Sequence, residues 1–345
     1  MKKIFLLFLA VPAMVTAQDI HFSQFYMSPL VMNPAMAGAQ NDMRAALNYK
    51  SQWQSVTNAY KTFGCSFDMR LTKTSNTKGH LAAGANFFSD KAGDGGLKTT
   101  LGGLALAYHA RLSPKSTLGG SVLGGFGQRS VTYSALQWGS QYDGTAFNPG
   151  ILPGENTSTP ALSYFDLGAG AVWHFDNSGS RSVTNNHDEK VTLGVAVFHL
   201  NRPNHSFYGA ADERLYMKTV VHGNALFSLP NSNVAFVPGF MYARQGKAQE
   251  IYAGTLIRYL IGQDSKYTGF KQGAAFSLGG FLRAKDAISV AMLLEYANYS
   301  IGFSYDVNTS SLRTASNARG GFEVALKFVT PNPFGVKSSA RSSFN

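Results

Sequence analysis

A single cysteine in 345 residues, Cys65, excludes an internal disulfide framework. It shares strand parity with Phe63, Phe67 and Met69, so it reads as a small outward-facing hydrophobe rather than a reactive thiol. Charge is sparse at 14% of residues, and acids are scarcer than bases, 19 against 30. The resulting formal charge of +11 comes without any basic run interleaved with aromatics, which excludes nucleic acid as a partner and fits anionic outer-leaflet lipid or an acidic protein. After residue 15 no stretch approaches the roughly 18 unbroken apolar residues of a spanning helix. His174, His199, His205 and His222 lack the paired spacing of a zinc site, so no metal is expected.

Other chemical signatures are equally thin. Gly119-Gly120 and Gly124-Gly125-Phe126-Gly127 suggest a phosphate-cradling loop, but no helical period follows them, and no cofactor is predicted. Asp90 and Asp94 lack the dense carboxylates of a calcium loop, and the segment reads as a glycine-rich hairpin. An Asp166 and His174 pair could assemble across strands, which keeps an outer-membrane enzyme open as the weakest reading.

What the chain has instead is alternation. Tyr299, Ile301, Phe303, Tyr305 and Val307 occupy one parity, with Ser300, Gly302, Ser304 and Asp306 on the other. Phe322, Val324, Leu326 and Phe328 then alternate with Glu323, Ala325 and Lys327, so one face suits hydrocarbon and the other carries charge. Alternating or Gly/Ala-rich runs lie near 43–53, 62–71, 80–90, 99–112, 117–131, 163–175, 190–200, 217–228, 234–244, 249–260, 272–283, 287–296, 299–306 and 321–330. Fourteen antiparallel strands of about 9 to 11 residues make an all-β transmembrane barrel over residues 43–330. With both termini in the periplasm, the longer loops 132–162, 201–216 and 307–320 face outward and 113–116, 229–233 and 297–298 are inner turns. The long inner loop 176–189 and the short outer one at 284–286 break that rule. The inward polar set Asp68, Arg70, Asp166, Glu295, Asp306, Glu323 and Lys327 reads as a hydrated lumen with compensating ion pairs.

Lys2 and Lys3 precede an apolar run from Ile4 to Val15, and Val15-Thr16-Ala17 suits cleavage before Gln18, so residues 1–17 read as a signal peptide. Residues 18–42 resist a strand reading because Pro29 and Pro34 remove backbone donors. Phe22, Phe25, Tyr26, Leu30 and Met32 nevertheless demand a surface to pack on. This segment is expected to plug or lid the barrel, or to dock a partner, with Phe22, Phe25 and Tyr26 as anchors. Residues 331–345 read as a flexible periplasmic tail.

His21-Phe22-Ser23-Gln24-Phe25-Tyr26, Ser28-Pro29-Leu30 and Asn33-Pro34-Ala35 with Gly38 resemble the amino-terminal signature of the PorP/SprF proteins of the type IX secretion system. Asn48-Tyr49 with Trp53, Phe88-Ser89-Asp90 with Ala92-Gly93, and Phe198-His199-Leu200 with Pro203-Asn204 continue the pattern. The strongest block runs from Ser304-Tyr305-Asp306 through Asn308, Ser310, Leu312 and Ala315-Ser316 to Gly320-Gly321-Phe322-Glu323. Lys50, where the pattern expects arginine, and the tail past the last strand depart from it. The resemblance implies a non-enzymatic outer-membrane barrel of Bacteroidota, tied to gliding motility and to secretion or surface display of large adhesins. Its implied partners are the carboxyl-terminal signal domain of that cargo and other type IX and gliding components. On this resemblance the partner-binding or plug residues are Phe22, Ser23, Gln24, Phe25, Tyr26, Pro29, Asn33, Pro34, Tyr305, Asp306, Asn308, Gly321, Phe322 and Glu323. A passive porin or hydrophobic-solute channel is the alternative that the same barrel physics allows.

Overall fold

Alternation of this kind can satisfy every backbone group in lipid only if the sheet closes, and it does. A computed structural model describes residues 19–54, 58–72, 78–93, 95–155, 161–177, 188–207, 213–262, 273–311 and 313–330. The segment read as a signal peptide, Asp94, Leu312 and the tail lie outside the described residues. Fourteen strands form one closed antiparallel ring: β1 (Met43–Gln52), β2 (Tyr60–Arg70), β3 (Gly79–Ala92), β4 (Leu97–Ser113), β5 (Ser116–Ser130), β6 (Ala161–Asp176) and β7 (Glu189–Phe198), then β8 (Lys218–Ser228), β9 (Val234–Gln245), β10 (Ala248–Gly262), β11 (Ala274–Arg283), β12 (Ala287–Tyr296), β13 (Tyr299–Asn308) and β14 (Arg319–Thr330). The seam joins β1 to β14, from Met43 opposite Thr330 to Gln52 opposite Gly321. Every strand read from the sequence is present. The difference is length: β4, β5 and β6 run 17, 15 and 16 residues, beyond what a tilted crossing requires.

The parity assignment holds around the ring. Phe303, Tyr305, Phe322 and Leu326 are exposed on the outside, while Asp306, Glu323 and Ala325 are buried inside. Phe63 and Phe67 face outward with Cys65 between them. The glycine runs 119–120 and 124–127 lie within β5, as strand rather than phosphate loop.

The inward face is not a hydrated lumen at mid-depth. Residues 19–42 thread the ring as a series of tight turns: a 3-10 turn at Phe25–Met27, one helical turn at Pro29–Met32 and a second 3-10 turn at Pro34–Met36. Each proline opens its turn, where a missing N–H costs nothing. Phe22, Phe25, Met27, Leu30, Ala35 and Met36 are all buried. Met27 packs with Leu293 and Ala325, and Leu30 with Ala37 and Ala107. The segment runs from the end of the ring read from the sequence as periplasmic, where Asp42 leads into β1, to the opposite end, read as the outer one, where the Asp19 N–H donates to Gln245 Oε1 at 2.8 Å.

Candidate functional site

The wall and the threaded segment meet through matched gaps. Built on Gly64, a Cβ would lie 2.8 Å from the Phe22 ring; on Gly302, 2.0 Å from Gln24 Oε1; on Gly170, 2.1 Å from Asn33 Oδ1. Glycine at these inward positions lets three segment side chains press against bare backbone.

The tightest attachment is in the outer half of the barrel. Lys50 and Glu323 oppose each other across the seam, and Asp306 follows on β13 with the same inward parity. The Glu323 carboxylate accepts the backbone N–H of Ser23 at 2.6 Å and of Gln24 at 3.0 Å, while Gln24 Nε2 donates to the Glu323 carbonyl at 3.2 Å. Ser23 Oγ donates to Asp306 Oδ2 at 2.7 Å and accepts from Arg283 Nη2 at 2.9 Å. Arg283 is the hub: it pairs with Asp306 at 3.2 Å, Asp286 at 3.0 Å and Glu250 at 3.1 Å, and its guanidinium lies 5.2 Å from the Tyr252 ring centroid. Lys50 Nζ donates to the His21 carbonyl at 3.2 Å, and the Ser289 hydroxyl donates to Asp306. With buried charges this closely compensated, removing one partner strands another.

Aromatic packing holds the next residues. Phe25 meets Tyr26, Tyr252 and Phe281 edge-on with centroids 5.6, 5.7 and 5.8 Å apart, and Tyr26 stacks on Phe281 at 5.6 Å. Such pairs add about 0.5 to 1.5 kcal/mol each beyond their buried area. Lower down, Asn33 caps the turn opened by Pro34, its Oδ1 accepting the Ala35 N–H at 2.8 Å. Its Nδ2 reaches the Ala171 carbonyl at 3.0 Å and His222 Nε2 at 3.0 Å. Near the end where the segment enters β1, Asp68 accepts from the Gly38 N–H at 2.9 Å and from Arg44 Nε at 2.8 Å.

At the outer end a second lock forms. His199, on a left-handed backbone with φ 57, lies between two carboxylates: Nδ1 is 2.8 Å from Asp166 and Nε2 is 2.7 Å from Asp19. Burial is the largest single influence on His199 and lowers its pKa, but the hydrogen bonds and charges of Asp166 and Asp19 together push it up to about 9. For Asp19, burial pulls upward, and Lys218 and His199 outweigh it to hold the carboxyl below its usual range.

The structure therefore gathers Phe22, Ser23, Gln24, Phe25, Tyr26, Asp306 and Glu323 into one outer cluster, with Pro29, Asn33 and Pro34 shaping the segment below. It does not bring in the rest. Tyr305 and Phe322 face outward, because their parity opposes that of Asp306 and Glu323. Asn308 Nδ2 donates to the Ser316 hydroxyl at 3.0 Å and ties down the β13–β14 loop. Gly321 has its place at the seam, where a Cβ would lie 2.6 Å from the Ser51 carbonyl. The Asp166 and His174 pairing does not form; Asp166 takes His199, and His174 Nδ1 bonds the Thr192 hydroxyl at 2.9 Å. Asp90 accepts from the Thr62 hydroxyl at 2.6 Å. Sequence reasoning missed Arg283, Glu250 and Asp19; the signal available for Arg283 was its inward parity at the end of a strand.

No curated protein matches this chain. Among solved structures it is similar to the deltaS2S3 mutant of the monoaromatic hydrocarbon channel TodX, with 10% identity and a TM-score of 0.49, covering 88% of this chain and 94% of that one. It is also similar to the monoaromatic hydrocarbon channel CymD, at 9% identity and TM-score 0.43 over 89% and 93%. An outer-membrane channel from Pseudomonas putida F1 aligns at 12% identity and TM-score 0.37 over 84% and 94%. The family model for the type IX secretion system membrane protein PorP/SprF matches residues 14–328, which takes in the threaded segment, the charged cluster that docks it and nearly all of the ring, so the chain belongs to the PorP/SprF family.

Proposed function

We propose that this outer-membrane barrel of the type IX machinery retains a specific secreted cargo by binding its carboxyl-terminal signal domain, and that it does so without catalysis. The observation that carries the reading is the lumen filled by residues 19–42, docked through buried charge on both sides of the seam. A wall that holds a plug this closely favours a holding role over free conduction of solute. Large adhesins, other type IX components and the gliding apparatus are the partners this reading implies. The same segment, with Phe22, Phe25 and Tyr26 seated in the wall, keeps the barrel in the form the cargo recognises.

The test deletes residues 22–38 behind the intact signal sequence and compares three readouts. The variant should still assemble as a heat-modifiable barrel, conduct ions in planar bilayers where the parent does not, and lose surface display of its cargo. Pull-down from solubilised outer membranes, read by mass spectrometry, should recover a protein with a type IX signal domain with the parent only. A variant that assembles, stays closed and displays cargo normally overturns the proposal, and steady conduction by the parent would favour a porin.

A further inference from the structure

Three of the chain's basic residues line up at one place on the outside of the ring. Lys61 on β2, Lys91 on β3 and Lys98 on β4 stand directly opposite one another in register. All three are exposed and share the parity of Phe63, Phe87 and Leu104, the outward parity of their strands. Neighbouring strands lie about 4.8 Å apart, so three ammonium groups are held within roughly 10 Å on the lipid side of the wall. They sit at the outer end, beside loop 93–96 and opposite the end where Met43 and Thr330 lie.

Like charges directly opposite each other on a sheet repel, and no ion pair among the described residues relieves this. None of the three lysines joins a salt bridge or hydrogen bond with another described residue. A barrel needs only an aromatic or amphipathic rim at this depth, and one lysine would snorkel adequately. Three in a row call for an external anion.

The next rows specify that anion further. Directly below Lys91 and Lys98 come Ser89 and Thr100, whose hydroxyls are 3.4 Å apart on the same outer face. Polar groups at that position suit an ester or sugar oxygen better than a hydrocarbon chain. One row deeper, Gly102 lies between Phe87 and Phe126, and its missing side chain leaves a furrow between the two rings. Read from the rim inward the surface runs cationic, hydroxylic, then grooved and apolar. We infer that β2–β4 form a binding site for a phosphorylated outer-leaflet glycolipid, with Lys61, Lys91 and Lys98 on the phosphate, Ser89 and Thr100 on the headgroup, and an acyl chain along the furrow at Gly102. The site is independent of cargo binding and of the plug.

The probe is a phosphorylated glucosamine-disaccharide lipid of the lipid A type, titrated onto the full-length protein in mild detergent and read by native mass spectrometry. Near a membrane surface each lysine contributes enough for about fivefold in affinity, so the K61Q/K91Q/K98Q variant should bind about a hundredfold more weakly and each single variant about fivefold. The dephosphorylated lipid should bind the parent as weakly as the phosphorylated lipid binds the triple variant. That arm needs no mutant and stands even if the triple variant fails to assemble. A K115Q/K285Q variant, which removes charge away from this row, should bind like the parent. Equal affinity of the parent for both lipids, unchanged binding by an assembled triple variant, or inorganic phosphate alone displacing the lipid at equal concentration each overturns the assignment.

Discussion

Glu323→Gln isolates the contact between the threaded segment and the last strand. In the native protein two backbone N–H groups, of Ser23 and Gln24, converge on one buried carboxylate. A glutamine side chain is almost the same shape but offers one acceptor oxygen and one donor NH2, so only one of those N–H groups can be satisfied. An orphaned buried donor costs about 1 to 3 kcal/mol, and the surviving bond loses the roughly 1 kcal/mol advantage of a charged acceptor. Docking of residues 22–28 should therefore weaken by about 2 to 4 kcal/mol, a rise of roughly 30- to 700-fold in its local opening constant. Hydrogen exchange reads this constant directly, because local opening controls exchange of protected amides. In micelles or nanodiscs the amides of residues 22–28 should exchange faster by that factor, while mid-strand amides of β4 and β5 stay unchanged. A heat-modifiable barrel whose segment exchanges within threefold of the parent would refute the assignment of Glu323 as a docking acceptor. Uniformly faster exchange would show instead that the mutation loosens the whole ring.

Three further outcomes follow from the same geometry. Gly170→Leu should displace Asn33 and lower the unfolding temperature, whereas Gly120→Ala, with open space around its Cβ, should leave it unchanged; equal effects would mean the segment does not press on the wall. Phe303→Arg places charge in lipid at a cost of about 2 to 4 kcal/mol, and Ala325→Arg should impair assembly comparably because Met27 and Leu293 already fill its space; good assembly of the Ala325 variant would reveal water at that depth. His199 has a pKa raised from 6.5 to about 9, so its support for the outer lock is complete below about pH 6.5, fades between 6.5 and 9, and is lost above. A spin label at position 20 should gain mobility across that window in the parent but not in His199→Gln, and a flat profile in the parent would sink the idea.

The fold was legible because lipid imposes a rule that the sequence displays residue by residue. Phe303 and Ser304, or Leu326 and Ala325, can exchange faces only by a register slip that would place charge in hydrocarbon. Strand length was less legible: Leu97 and Lys98 lie outside the alternating run read as a strand, yet they continue β4 because Ala92 and Lys91 on β3 pair with both and Ser130 on β5 pairs with Lys98. The site was partly readable. Alternation placed Asp306 and Glu323 inside, and the two prolines marked residues 18–42 as something other than strand. It could not say which inward groups meet across the barrel, since that depends on the depth at which each residue of the segment stops. His199 illustrates the difficulty. Its role depends on a left-handed turn just beyond β7 that brings it level with Asp166, three residues above Ala169, the last position of β6 that pairs with β7. Parity carries no information about a residue that has left the strand.

Ser23 and Glu323 are 300 residues apart in the chain, yet they are joined by the shortest backbone contact of the outer cluster. The segment that precedes β1 is thus bonded to the last strand of the ring, while the residues that follow it, in β1, pair with that same strand to close the ring. Loop closure over such a separation is only about 0.6 kcal/mol dearer than over half of it; the difficulty is choosing the right partner among many similar edges. A segment that recognises β14 through one carboxylate and two amides supplies that choice. It makes circularisation a matter of molecular recognition, in which the chain identifies its own far end before it zips to it.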